Sequence, residues 1–267
     1  MMRRERRLDA VTKVLLVLLL ITGGKLLTTR VLSLTLRHEL TQNVQLLLSM
    51  GQELVLIGLP ALLMRREPST RMGQVRGGAL LMICAAVLGL AMRALATPLT
   101  RAWTTLVSVP DSTITVAGSV HEMGLQVLAL ALVPAVLEEA LFRGVVLPTL
   151  LDGGSHGGAW LLTTLLFALL HGNLSALPAH LLFGGALTLA MMRTGRLAMP
   201  MMMHFVYNVS ALFWQGMSSG WLIFCALALL SLMLWATMTM PRVVRVRMKR
   251  GNCLLAAVVL LGMGFLY

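Results

Sequence analysis

Charge is what this sequence lacks most. Only 12% of its 267 residues are Asp, Glu, Lys or Arg, and only 10 are acids. A soluble domain needs a solvated polar shell, and 58% hydrophobic residues with a mean hydropathy of +0.85 leave little from which to build one. Cysteine is scarce too. Cys84, Cys225 and Cys253 lie in or beside apolar runs without a CxxC pair, which excludes a disulfide scaffold and a thiolate zinc module and leaves them as small buried hydrophobes. Persistent period-two alternation is missing, which excludes a transmembrane barrel. No HExxH occurs, no fixed-period repeat, and no inverted pair of broken helices; the last two absences weigh against a secondary transporter.

What remains is a series of apolar runs. They cover 14–36, 43–63, 78–96, 124–150, 159–171, 177–192, 197–214, 219–240 and 252–267. Several approach the roughly 20 residues that cross a bilayer. The expected fold is therefore an all-α, polytopic membrane bundle of about eight or nine helices. Lys25 and Arg30 interrupt the first run, and the fifth and sixth are short and expected to tilt or to pack in the bundle centre. The start, MMRRERRLDAVTKVLLVLLLITGG, has the charge and apolar pattern of a signal peptide but no A-x-A site, and reads as a retained signal-anchor helix. The longest polar connection spans 97–123, so no soluble domain is expected.

The formal charge of +12 raises the question of nucleic acid. Its distribution answers it. Basic residues cluster between apolar runs at 3–7, 65–76, 193–196 and 242–250, the pattern of cytoplasmic loops, and such clusters suit anionic lipid headgroups. With the N-terminus inside and the runs alternating, these clusters share one side, and the other holds Lys25, Arg30, Arg37, Arg93 and Arg101. The chain is thus expected in the cell (inner) membrane with a cytoplasmic N-terminus and no nucleic-acid partner.

Between 124 and 210 the polar residues within apolar runs are few: Glu138, Glu139, Arg143, His171, His180, His204 and Asn208. Each charge in a bilayer costs about 2.5 to 3.5 kcal/mol, so three unpaired charges would cost roughly 8 to 10 kcal/mol. Glu139 and Arg143 stand four apart and face one another on a helix. Their pairing turns Glu138 about 100° away as a free carboxylate. Pro134 frees the carbonyl of residue 130 and is expected to kink the helix beside Glu138. Phe167 with His171, and His204 with Asn208, repeat the same spacing. A carboxylate with imidazoles can activate water, and His and Asn side chains can stabilise an oxyanion, which together suit acyl hydrolysis. Each part also has a plainer role: a buried ion pair, a hydrogen-bonded packing acid, a helix-end histidine, an interhelical His–Asn pair. His180 reads as interfacial, and His121, Glu122, Asp152 and His156 as solvated loop residues.

In order, Glu138-Glu139-x-x-x-Arg143, Phe167-x-x-x-His171 and His204-x-x-x-Asn208 resemble the motifs of the CAAX prenyl protease and bacteriocin-processing family, also called the Abi family of intramembrane proteases. The resemblance covers 124–212, a catalytic core between N-terminal helices at 1–123 and C-terminal helices at 213–267. It implies a bundle around a conical, water-filled cavity and peptide hydrolysis near the cytoplasmic leaflet, on a peptide or membrane-protein substrate. Glu138 would activate water with His171, His204 and Asn208 would stabilise the oxyanion, and Glu139 with Arg143 would hold the scaffold. All motif positions are filled. Glu138, His171 and His204 also form a two-His, one-carboxylate zinc set; metal-free activation is expected and zinc is the alternative. Two other functions fit the same residues: a proton-coupled transporter, and a non-catalytic bacteriocin-immunity or scaffold protein.

Overall fold

The computed structural model describes residues 2–35, 41–64, 78–108 and 120–213, and every regular element among them is a helix. In chain order these are α1 (Met2–Thr35), α2 (Gln42–Leu63), α3 (Ala79–Val107), α4 (120–153), α5 (His156–Leu170), α6 (Leu177–Thr194) and α7 (Ala198–Phe213). Four stretches are long and apolar enough to cross a membrane: Val11–Val31, Gln42–Leu63, Leu81–Val107 and Glu122–Gly153. The chain is an integral membrane helical protein. The expected count of about eight or nine spans is not reached among the described residues. The runs at 219–240 and 252–267, the basic clusters at 65–76 and 242–250, and Cys225 and Cys253 lie outside them.

Helix boundaries otherwise fall close to the apolar runs, with one consequential difference. The third helix does not end near residue 96; it passes Pro98 and continues to Val107. A membrane helix tolerates such a proline because neighbouring groups can satisfy the freed carbonyl. Arg93 and Arg101 therefore lie within the Leu81–Val107 stretch, and Lys25 and Arg30 lie within Val11–Val31.

Three other prolines shape the helices. Pro60, Pro134 and Pro148 each sit in the first turn after a widened segment, at Leu54–Gly58, Val127–Leu132 and Phe142–Val146. Proline has no N–H for the carbonyl four residues back. The residue before each proline reaches five back instead: Leu59 donates to Leu54 O, Val133 to Leu128 O, and Leu147 to Phe142 O. The kink expected at Pro134 is thus a π-type turn, and Glu138 and Glu139 lie on the short α-helical stretch between two such turns.

Ends are set locally. The Ser155 hydroxyl accepts from Gly158 N at 3.0 Å to cap α5, and Pro178 opens α6. Gly172 (φ 58°) and Gly195 (φ 63°) close α5 and α6 in the left-handed conformation that costs glycine least. The core gathers Phe142, Phe167, Phe183, Leu187, Met191 and Met203 from α4 to α7. Leucines such as Leu20, Leu63 and Leu106 stay exposed, as lipid-facing residues must.

Small residues set the closest approaches, as membrane helices require. On α3, a Cβ at Gly89 would stand 2.4 Å from Met203 O of α7. That oxygen is backbone and cannot rotate aside. Gly89→Ala should therefore destabilise by about 1–3 kcal/mol despite alanine's better helix propensity. Gly51→Ala, with nothing within 4 Å of the added methyl, should be neutral or slightly stabilising. Unfolding in detergent checks both, and equal effects would contradict the packing.

Candidate active site

Four helices bring the motif residues together, and the pairing they produce is specific. Arg143 is fully buried on α4. Its Nη1 donates to Glu139 Oε1 at 2.9 Å, one turn earlier on the same helix. Its Nη2 donates to Gly184 O at 2.9 Å and to Thr188 Oγ1 at 3.3 Å on α6. The guanidinium plane lies 4.5 Å from the Phe167 ring centroid on α5. Gly184 must lack a side chain here, because a Cβ would stand 2.8 Å from Phe167 Cδ1.

Glu139 Oε1 has a second partner. His204 Nδ1 on α7 lies 2.8 Å from it. Arg143 already donates to the same carboxylate oxygen, which accepts, so His204 Nδ1 carries the proton and donates. That leaves His204 Nε2 as the ring's outward nitrogen. Sequence spacing alone grouped His204 with Asn208; the structure ties it first to Glu139.

Glu138, the expected free acid, is buried, and neither Arg143 nor His204 takes it as a hydrogen-bond partner. Its Oε2 lies 3.4 Å from His171 Nε2, and that oxygen forms no hydrogen bond among the described residues. His171 caps the end of α5. Its Nδ1 lies 2.8 Å from Phe167 O, which can only accept, so Nδ1 bears the proton and Nε2 presents a lone pair to Glu138. An ionised Glu138 and a neutral His171 are then two acceptors aimed at one place. A water donating one hydrogen to each satisfies both.

Asn208 is half-buried one turn beyond His204 and makes no hydrogen bond to either pair among the described residues. No three of His, Cys, Asp and Glu gather as a metal-binding set among the described residues. The zinc set Glu138–His171–His204 is split, with His204 turned to Glu139 and Glu138 to His171. Each ring's Nδ1 is engaged, that of His171 by Phe167 O and that of His204 by Glu139, which leaves both Nε2 atoms outward, and the chemistry below is derived from the side chains alone.

Two features escaped the sequence reading. His180 on α6 is not a bystander at the interface: its ring stacks on His171 with centroids 4.2 Å apart at 30°. The signal was the face His180, Gly184, Thr188 at four-residue intervals, which also supplies both α6 acceptors to Arg143. Glu53 on α2 pairs with Lys25 on α1 at 2.7 Å, near enough to Glu138 and His204 for their charges to interact. Gln52 supports that pair through hydrogen bonds to Lys25 O, at 3.2 Å, and to Thr28 Oγ1. A lone acid in an apolar run was the only sequence signal.

The Glu139–Arg143 pair is buried, so breaking one side should cost more than removing both. Arg143→Met should destabilise by about 3–5 kcal/mol. Adding Glu139→Gln should recover part of that loss, because no uncompensated charge remains. Thermal unfolding of both variants measures this; an Arg143→Met protein as stable as wild type would contradict it.

No curated protein and no solved structure matches the chain. Residues 121–210, which hold all three motifs and nearly coincide with the expected core of 124–212, match the family model described as Type II CAAX prenyl endopeptidase Rce1-like, the family the motifs resemble.

Proposed function

We propose that the protein is an intramembrane endopeptidase in which Glu138 and His171 activate water against a peptide bond. The observation that supports this most is the pair of convergent acceptors, Glu138 Oε2 within a span and His171 Nε2 at the end of α5, 3.4 Å apart. A structural acid would be expected to meet a donor there; this one meets a lone pair, and water supplies the missing hydrogens. The match of residues 121–210 to a CAAX prenyl endopeptidase family gives the same direction.

In the proposed reaction, Glu138 takes a proton from the water as its oxygen bonds to the substrate carbonyl carbon, while His171 Nε2 orients the second hydrogen. The carbonyl becomes an oxyanion. The Asn208 amide donates to it once the substrate is bound, and His204 is a second donor through Nε2–H in its doubly protonated form, with Nδ1–H kept on Glu139 throughout. Glu138 returns its proton to the departing nitrogen as the C–N bond breaks. The products are a new carboxylate and a new amine. The proposed substrate is a peptide with a prenylated cysteine near its C-terminus, or a membrane-protein or leader peptide presented likewise. It is met from the cytoplasmic side of the cell membrane, with the N-terminus of the chain on that side.

Glu138→Gln keeps the shape and removes the base. It should abolish cleavage of a prenylated reporter peptide, by 10²-fold or more, without lowering the unfolding temperature. Cleavage at the wild-type rate would refute the role. Asn208→Ala should lower kcat by about 10²–10³-fold with little change in KM or stability, the signature of a donor used only in the transition state. An unchanged kcat would remove Asn208 from the reaction. Proton flux in proteoliposomes without peptide turnover would favour the transporter instead.

A further inference from the structure

Among the described residues Arg93 has no acidic partner. The three acids within the spans' apolar runs are already engaged: Glu53 with Lys25, Glu139 with Arg143 and His204, and Glu138 facing His171. Among the described residues no carboxylate lies within ion-pairing distance of Arg93, and its Nε is buried without a hydrogen bond. Arg93 stands near the middle of the Leu81–Val107 span, about 18 Å of helix from one end and about 21 Å from the other. That is further than an arginine snorkels. A half-buried cation near the middle of a span, with no anion beside it among the described residues, marks a place suited to an arriving anion.

Its surroundings point the same way. The guanidinium lies over the Tyr207 ring, 5.5 Å from the centroid, and interacts with the phenol, a second donor. Tyr207 is fixed by stacking on Phe183 at 3.9 Å, and Phe183 packs edge-on against His204 at 5.2 Å. The cation therefore borders the proposed reaction centre through Tyr207 and Phe183 without belonging to it.

We propose that Arg93, with the Tyr207 phenol, is an anion subsite that holds the free C-terminal carboxylate of the peptide while Glu138 and His171 act on a bond upstream. The inference rests on the endopeptidase reading. A lipid phosphate offers similar chemistry but stays with its headgroup at the interface, whereas a peptide terminus drawn into the bundle reaches mid-span. The planar fork of arginine suits a carboxylate's two oxygens.

The test uses full-length protein in phosphatidylcholine nanodiscs and two S-farnesylated peptides that differ only at the C-terminus, carboxylate or amide. Binding is measured in the Glu138→Gln background and cleavage in the chain with Glu138 intact. The carboxylate peptide should bind about tenfold or more tighter than the amide. Arg93→Gln should bring that ratio near one, and Arg93→Lys should restore part of it; because each ratio is taken within one variant, partial loss of folded protein does not mimic the result. In cleavage, Arg93→Gln should raise KM for the carboxylate peptide with kcat nearly kept. A ratio unchanged by Arg93→Gln, or near one in the parent, overturns the subsite. So does a preference lost on exchange of phosphatidylcholine for phosphatidylglycerol, which would assign the cation to headgroups. Carboxylate-selective binding without cleavage by the chain with Glu138 intact would support the subsite and refute the peptidase. Cleavage without carboxylate preference would do the reverse.

Discussion

The structure depends on how one buried carboxylate, Glu139, is shared. Its Oε1 accepts from Arg143 on its own helix and from His204 on α7, while Arg143 also reaches α6 through Gly184 and Thr188. In lipid there is no water to screen these groups, so the arginine and the acid hold three helices in register or the bundle loses them. The same sharing decides the chemistry. It occupies the arginine, fixes the tautomer of His204, and leaves the adjacent acid, Glu138, without a cation of its own. A free carboxylate in a bilayer is costly, and it persists here because Glu139 has already satisfied its neighbour.

Backbone geometry makes this division work. Two consecutive acids on a uniform helix point about 100° apart. Here the helix is also widened on both sides of the pair, each time before a proline. Glu138 meets the end of α5 at His171 while Glu139 meets α6 and α7 through its partners. Phe167 lies beneath both assemblies. It stacks against Arg143, packs against His171 and His204, and its carbonyl fixes the His171 proton. The Phe-x-x-x-His motif therefore has a physical reading: the ring and carbonyl of one residue position the groups on either side of it.

Local spacing made the ion pair legible from the sequence. Glu139 and Arg143 are four apart, and four residues on a helix is contact. The helices themselves were legible because apolar length is a strong signal in membranes. Contacts between distant helices were not. His204 shares a face with Asn208, but its hydrogen bond crosses 65 positions to Glu139. Glu53 and Lys25 are 28 apart and carry no motif. The third run was ended near residue 96, where hydropathy falls, whereas the helix continues through Pro98 to Val107 and leaves Arg93 near its middle. Proline predicts a break more reliably in water than in a bundle whose neighbours can satisfy the freed carbonyl.

The central claim is that Glu138 and His171 present two acceptors to one water. An experimental density map of the protein in a lipid nanodisc, fine enough to show ordered solvent, tests it most directly. The account predicts the Glu138 carboxylate beside His171 Nε2 with a water within hydrogen-bond reach of both, about 2.6–3.2 Å from each, and Glu139 held between Arg143 and His204. A Glu138 side chain turned to lipid, or drawn into the Arg143 guanidinium in place of Glu139, would contradict it.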